Sequence, residues 1–396
     1  MEVILVKSRV VIFLGPHGTG TSSSVPNISC LTREKPCNTC WSTFNPLGKK
    51  NIRRNTGALF RLSPGGPVVV VDAGKTFLTS ALEWFPKYGL RTIAAVVLTH
   101  AHADAINGLD DLRGWTLRGA IQSHIDVYLS NDTFQEVKRS FPYLVAKEYA
   151  TGGGDVPVFR YHFFQDGIPF DIDDLFTMTP IAVHHGRYFT QSQDNSATLP
   201  TPPYTPTHSR PEPVITPYIS YGFIIDAPSV DSSVVYISDV SNIPESTWTN
   251  LLRPRPSNPL PRSTPAPLTD CLRIEPHSSH FGLSEAVEAA RRMAPERTYL
   301  IGFSDELTHA EWSVIGEAIE QGVIGSHVLC DSFIASRLAT PSAEVKPWQA
   351  LDGGIRPEEV KRGLKIVKPG NGVWLRPAFD GMRVIVRNGT VASADE

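Results

Sequence analysis

Short apolar runs broken by glycine, proline and small polar residues set the rhythm of the first third of the chain. MEVILVKSRVVIFLG alternates apolar and polar positions, with Val10 to Leu14 its most continuous part. Glu2, Lys7 and Arg9 interrupt it and no small-residue cleavage site follows, so it predicts a first strand rather than a signal peptide. Leu59 to Leu62 and Val68 to Asp72 predict paired strands with SPGG as their hairpin turn. Leu78 to Phe85 predicts a helix that stops at Pro86. Ile93 to Leu98 predicts a buried strand running straight into Thr99-His100. Farther along, Ser232 to Ile237, Tyr299 to Phe303, Val373 to Leu375 and Met382 to Val386 read as strands. Ser284 to Ala294 reads as an amphipathic helix ending before Pro295, and Thr308-His309-Ala310-Glu311 has capping-box spacing before another helix. This alternation is a mixed α/β pattern.

Two stretches break the pattern. Thr190 to Thr216 is rich in Pro, Thr, Ser and Gln, and Arg253 to Thr269 is dense in proline with few large apolar residues. Neither can bury enough surface to offset the entropy of ordering. Both are expected to be surface insertions (190–216 and 253–269) in one domain spanning 1–396, because the signals on either side belong together. Composition then narrows the class. At 396 residues, with 41% hydrophobic and 19% charged residues, the chain is globular. A formal net charge of −3 argues against a general nucleic-acid binder. The longest apolar runs fall far short of the roughly 20 residues that cross a bilayer. Five cysteines, an odd number, argue against a disulfide framework and for a reducing, cytoplasmic setting.

The sharpest chemical signal is Thr99-His100-Ala101-His102-Ala103-Asp104 directly after a buried strand. In a strand-end loop, His at i and i+2 can turn both imidazoles to one point, and Asp at i+4 adds an oxygen ligand. Imidazole plus carboxylate suits zinc, manganese or iron. A second constellation is Cys30, Cys37 and Cys40 in SCLTREKPCNTC, a zinc-knuckle spacing that lacks one ligand. Blander features surround them. GPHGTGT has P-loop glycine spacing but no Lys before the Thr. Lys49, Lys50, Arg53 and Arg54, and the basic run Lys361 to Lys368, read as solvated loops able to meet a phosphate. The Asn388-Gly-Thr sequon carries no weight here.

HAHADAINGLDDLR resembles the HxHxDH signature of the metallo-β-lactamase superfamily, and is most similar to its phosphodiesterase branch, which includes ribonuclease Z and the phosphoribosyl cyclic phosphate phosphodiesterases. FLGPHGTGTSSSVP, VVVVDAG, AVHHG, VVYISDVS, PHSSHFGL and GFSDELTH follow in the family's order, with DGMRV a weaker echo. The resemblance implies an αβ/βα sandwich of two mixed sheets flanked by helices. It makes His100 and His102 ligands of a first metal and Asp104 of a second. In AVHHG it selects His185 over His184, and in VVYISDVS it makes Asp239 the bridging carboxylate. It makes His280 the group that protonates the leaving oxygen, with His277 the alternative. The cysteines, closed by His309, would form a structural zinc site.

Two departures stand out: Ala105 replaces the family's second-site His, and Asp305 its late His. The second ion would then sit among Asp104, Asp239 and Asp305, an all-oxygen set suited to manganese or magnesium, with Asp110 or Asp111 as substitutes or the site empty. The expected cofactors are a structural zinc and one or two active-site divalent ions, zinc or manganese. An ion lowers the pKa of its bound water to about 7, which gives a hydroxide for attack on phosphorus. The expected partners are a small or cyclic phosphodiester, with no membrane and no nucleic acid; a homodimer is compatible with this reading. The rival readings are hydrolysis of a lactone, thioester or amide, and a non-catalytic metal-binding relative.

Overall fold

The computed structural model describes residues 9–15, 25–151, 155–188, 216–228, 233–253, 266–324, 327–338, 354–387 and 390–393. The stretch 16–24 with most of its glycine-rich motif, the bulk of both proline-rich stretches and Asn388 lie outside them. In chain order the strands are β1 (Arg9–Gly15), β2 (Gly57–Arg61), β3 (Val68–Val71), β4 (Ile93–Val97), β5 (Ile125–Leu129), β6 (Phe159–Phe163), β7 (Phe170–Ile172), β8 (Phe176–Arg187), β9 (Pro217–Asp226), β10 (Val234–Ile237), β11 (Ala266–Asp270), β12 (Thr298–Ile301), β13 (Leu375–Pro377), β14 (Arg383–Arg387) and β15 (Thr390–Ser393).

They form two mixed sheets. One is ordered β15-β14-β1-β2-β3-β4-β5-β6, the other β13-β12-β11-β10-β9-β8-β7. β2 and β3 pair antiparallel across the hairpin, whereas β3 to β6 and β10 to β13 run parallel. The sheets face each other through a layer that includes Phe60, Phe176, Phe223, Tyr236 and Tyr299, all fully or almost fully buried. Strands covered on both faces read as continuous apolar runs, which explains VVVV in β3 and VVYI in β10. Helices cover the outer faces. Phe77–Tyr88 packs on the first sheet through Phe77, Ala81, Trp84 and Phe85. Leu283–Met293 and His309–Glu320 pack on the second. This is the two-sheet sandwich flanked by helices that the sequence resemblance implies.

Two expectations fail for local reasons. The helix from Phe77 does not stop at Pro86 but runs on to Tyr88, where Gly89 caps it in the left-handed region. Pro86 and Leu82, four residues earlier, are both exposed, so the carbonyl that loses its partner reaches water. Likewise Ala266 to Thr269 is not part of a loop insertion. It forms most of β11, held by parallel pairing with β10 on one side and β12 on the other. In both halves the C-terminal ends of the parallel strands lead into the loops that carry the chemistry.

Candidate metal centre

β4 ends at Val97, and the next turn delivers Thr99 and His100 to the sheet's edge, both buried. His102 sits in extended backbone as the cap of a short helix, Ala103–Ile106, with Asp104 in its first turn. That turn docks on the VVVVDAG segment through bonds from Ala73 N to the Ala105 carbonyl (2.8 Å) and from Gly108 N to the Ala73 carbonyl (2.7 Å). Gly74 permits the approach, since a Cβ there would lie 1.7 Å from the Asp104 carbonyl oxygen. From the second sheet, β8 brings His185, β10 leads through Ser238 to Asp239, and the loop after β11 brings His280.

Three histidines converge. The rings of His100, His102 and His185 lie 4.7 to 5.0 Å apart, centre to centre, and His280 is 4.8 Å from His185. Ligand atoms of His100, His102 and His185 all fall within 4.8 Å of one another, as do those of His185, Asp239 and His280. Asp104 Oδ1 stands 4.0 Å from His100 Nε2, and Asp239 Oδ1 3.9 Å from His280 Nε2.

The ring nitrogens are aimed. Thr99 donates its hydroxyl to Asp72 (2.8 Å) and accepts from His100 Nδ1 (2.8 Å), which leaves the His100 Nε2 lone pair facing the cluster. His185 Nδ1 donates to the Ser279 carbonyl (2.7 Å), so its Nε2 faces His102 Nδ1 at 3.1 Å. His280 Nδ1 donates to Asp270 (2.7 Å). This is how metal-binding imidazoles are oriented from behind. Tyr218 stacks flat on His102, centroids 4.6 Å apart, and its hydroxyl accepts from Ala101 N. His184 points elsewhere and accepts from the Asn242 amide.

The electrostatics of the three converging histidines fit a cation. Burial holds His100 well below the usual imidazole range, lowers His102, and lowers His185 to about 4, so all three are neutral at physiological pH and carry lone pairs. Burial also opposes charge on Asp239, yet His100, His185 and His280 together hold its carboxyl far below the ordinary value. On His280, burial is outweighed by Asp270, and its pKa rises to about 9. Three atoms at the cluster, His100 Nε2, Asp239 Oδ1 and His280 Nε2, are buried with no hydrogen-bond partner among the described residues. Buried polar atoms left so are costly. A divalent ion is what this donor set fits, and two 3.1 Å-spaced nitrogens approach the separation of about 3.3 Å that imidazoles keep on one tetrahedral zinc.

Asp305 does not join this cluster. It lies with the cysteines, its Oδ2 3.6 Å from Cys37 Sγ and 3.5 Å from Cys40 Sγ, and the four ligand atoms of Cys30, Cys37, Cys40 and Asp305 fall within 4.8 Å of one another. Asn27 donates to the same carboxylate oxygen at 3.0 Å, and the buried Arg53 donates to the carbonyls of Ser304 and Leu307, gripping the loop from behind. Amide N–H groups of Cys37 and Cys40 point at Cys30 and Cys37 sulfur (3.2 and 3.3 Å). Hydrogen bonding from Cys40 lowers Cys37 to about 6, and Cys40 is raised in exchange. His309, expected to close this site, is absent from the group. Its ring packs edge-on against Phe379 at 5.4 Å, and burial lowers it to about 3. The helix it starts fixes its backbone N–H on Asn51 rather than turning the ring to the thiols. His280, expected as a proton donor, has a ring nitrogen within 4.8 Å of ligand atoms of His185 and Asp239.

Asp72, Thr99, Asp270 and Tyr218 were not singled out as functional by the sequence. Asp72 lies in VVVVDAG and Thr99 in THAHAD, so motifs marked those two without stating a role. A cavity of about 750 Å³ opens over the cluster, lined by His102, Asp104, His185, Arg187, Tyr188, Tyr218 and the segment His277 to Ser279. Among the described residues, no helix is long and apolar enough to cross a membrane.

Residues 68–303 match a family model described as a β-lactamase superfamily domain. An octanoyltransferase of Porphyromonas gingivalis is 27% identical over 172 residues, 43% of this chain and 30% of that protein, so this chain spans under a third of the curated relative it matches. Among solved structures, a diphosphatase from the PhnP family is similar over 97% of this chain and 100% of its own, with TM-score 0.58 and 19% identity. Zinc-bound PqqB from Methylobacterium extorquens covers 94% and 99%, with TM-score 0.55 and 15% identity. Unliganded yeast PDE1 covers 96% and 100%, with TM-score 0.51 and 10% identity.

Proposed function

Because the chain belongs to the metallo-β-lactamase superfamily, we propose that its cavity hydrolyses a small or cyclic phosphodiester with the help of divalent ions. The observation that carries this reading is the convergence of three oriented imidazoles on buried, unpartnered atoms beneath an open cavity. His100, His102 and His185 would hold one ion, and Asp104, Asp239 and His280 a second. Zinc suits the imidazole-rich half; either zinc or manganese suits the half with two carboxylates. Bound ions supply Lewis acidity and a nucleophile at neutral pH.

The chain's own residues do the rest. Asp72 through Thr99, the Ser279 carbonyl and Asp270 fix which nitrogen of each imidazole faces the site. Tyr218 shields one face of His102 from water. With both nitrogens of His280 committed, His277 is the better proton donor to the departing oxygen: its Nδ1 accepts from Ser279 N (3.3 Å), which leaves the proton on Nε2. Asp104 and Asp239 bring two negative charges to neutral imidazoles, so two divalent ions leave the centre positive and matched to an anionic phosphorus ester. The diphosphatase that shares the fold is named for phosphoryl chemistry, in support of the same choice. The cysteine cluster with Asp305 is read as a structural zinc site.

The test is a panel of bis-(p-nitrophenyl) phosphate, a cyclic phosphodiester, a lactone and a thioester, each assayed on stripped protein reloaded with zinc, manganese or iron. Diester turnover with at least one metal is expected. Acyl turnover without diester turnover would replace this reading with the acyl one.

A further inference from the structure

The wall of the cavity holds two side chains that the ion cluster leaves unused. Beyond His185, β8 continues to Arg187 and the chain to Tyr188. Their backbone is fixed: Arg187 sits opposite Pro217 in the β8–β9 register, and Tyr188 N donates to the Thr216 carbonyl at 3.0 Å. Their side chains are not. Arg187 is exposed, lines the cavity, and makes no hydrogen bond or ion pair among the described residues. Tyr188 meets Tyr218 edge to face at 5.3 Å and keeps about half its surface (52%) exposed at the cavity.

Tyr218 cannot serve as an open platform, because its face is already stacked on His102. Tyr188, half exposed at the cavity, has ring surface left to take a partner. A cavity of about 750 Å³ is also far larger than a phosphodiester core and lies in the range that encloses a whole drug-sized ligand. A guanidinium with no partner among the described residues, on a fixed backbone beside the candidate ion cluster, suits a second phosphate, which it can grip through two parallel hydrogen bonds. A half-exposed tyrosine beside it suits a planar ring.

We propose that Arg187 and Tyr188 select substrates whose non-reacting arm is nucleotide-like, with a second phosphate on Arg187 and a planar base against Tyr188. The assignment rests on the reading that the cavity floor acts on phosphorus esters. Both side chains are exposed, so replacing them leaves the core intact.

The test is calorimetric titration of the metal-loaded protein with ADP, adenosine and inorganic diphosphate, each against wild type, Arg187→Ala, Arg187→Lys, Tyr188→Ala and Tyr188→Leu. Wild type should bind ADP more tightly than either fragment. Arg187→Ala should weaken ADP and diphosphate at least roughly tenfold and Arg187→Lys less, with adenosine unmoved. Both Tyr188 variants should weaken ADP and adenosine but not diphosphate. ADP binding that is absent, or equal in wild type and Arg187→Ala, overturns the proposal, as does adenosine binding indifferent to Tyr188. Absence of diester turnover in wild type, by contrast, would strike the hydrolytic reading and leave these binding results to stand or fall on their own.

Discussion

Asp270 accepts a 2.7 Å hydrogen bond from Nδ1 of His280, and both side chains are completely buried. Asp270 also accepts from Val240 N at 3.2 Å, one residue past Asp239, so a single carboxylate braces a histidine and the turn that carries the neighbouring acid. Asp270→Asn should keep the fold but lower affinity for the second ion roughly 10–100-fold, the usual cost of losing such support. Metal content after dialysis against chelators of graded strength reads this directly. Wild-type retention would mean that Asp270 does not orient a ligand.

Asp305 and His309 make opposite forecasts for the cysteine site. Asp305→Ala should lose one zinc per chain and lower the melting temperature. His309→Ala should keep that zinc, because its ring packs on Phe379 instead. Native mass spectrometry counts the ions. The reverse result would return the fourth corner to His309.

Asp380 gives a stability prediction that depends on pH. Burial outweighs the Arg54 guanidinium 3.5 Å away and raises its carboxyl to about 8, above its ordinary value of 3.8. Folding therefore takes up a proton at this group, so its contribution to stability is full below pH 3.8 and is lost as pH rises toward 8. Asp380→Asn should melt like wild type near pH 4 and progressively above it toward pH 8. Parallel melting curves at all pH values would count against a raised pKa.

His102→Ala and Asp239→Ala should each abolish diester hydrolysis while far-UV and near-UV circular dichroism stay native. His102 is exposed to the cavity, and Asp239 lies two residues past the end of β10, whose packing lies elsewhere. Turnover surviving either change would remove that residue from the ion cluster.

The sandwich was legible because strands buried on both faces leave unbroken apolar runs, and the first histidines because three ligands fall within one short loop. Other parts of the site were hidden by distance. Asp305 follows a motif order that pairs it with the catalytic cluster, yet Asn27 and Arg53, more than 250 positions away, turn its loop toward the thiols. Ala266 to Thr269 read as the end of a proline-rich insertion, and Pro267 argues against an interior strand. Pairing on both sides made the strand regardless. The roles of Asp72 and Asp270 depend on which imidazole nitrogen each one meets, and spacing along a chain does not record that.

The cysteine cluster also sets an order of events during synthesis. Cys40 leaves the ribosome 265 residues before Asp305, an interval on the order of 10–50 s at about 5–20 residues per second. Throughout it the three thiols have no fourth partner, which arrives only once β12 has been made. The site among the first to be translated is among the last to close.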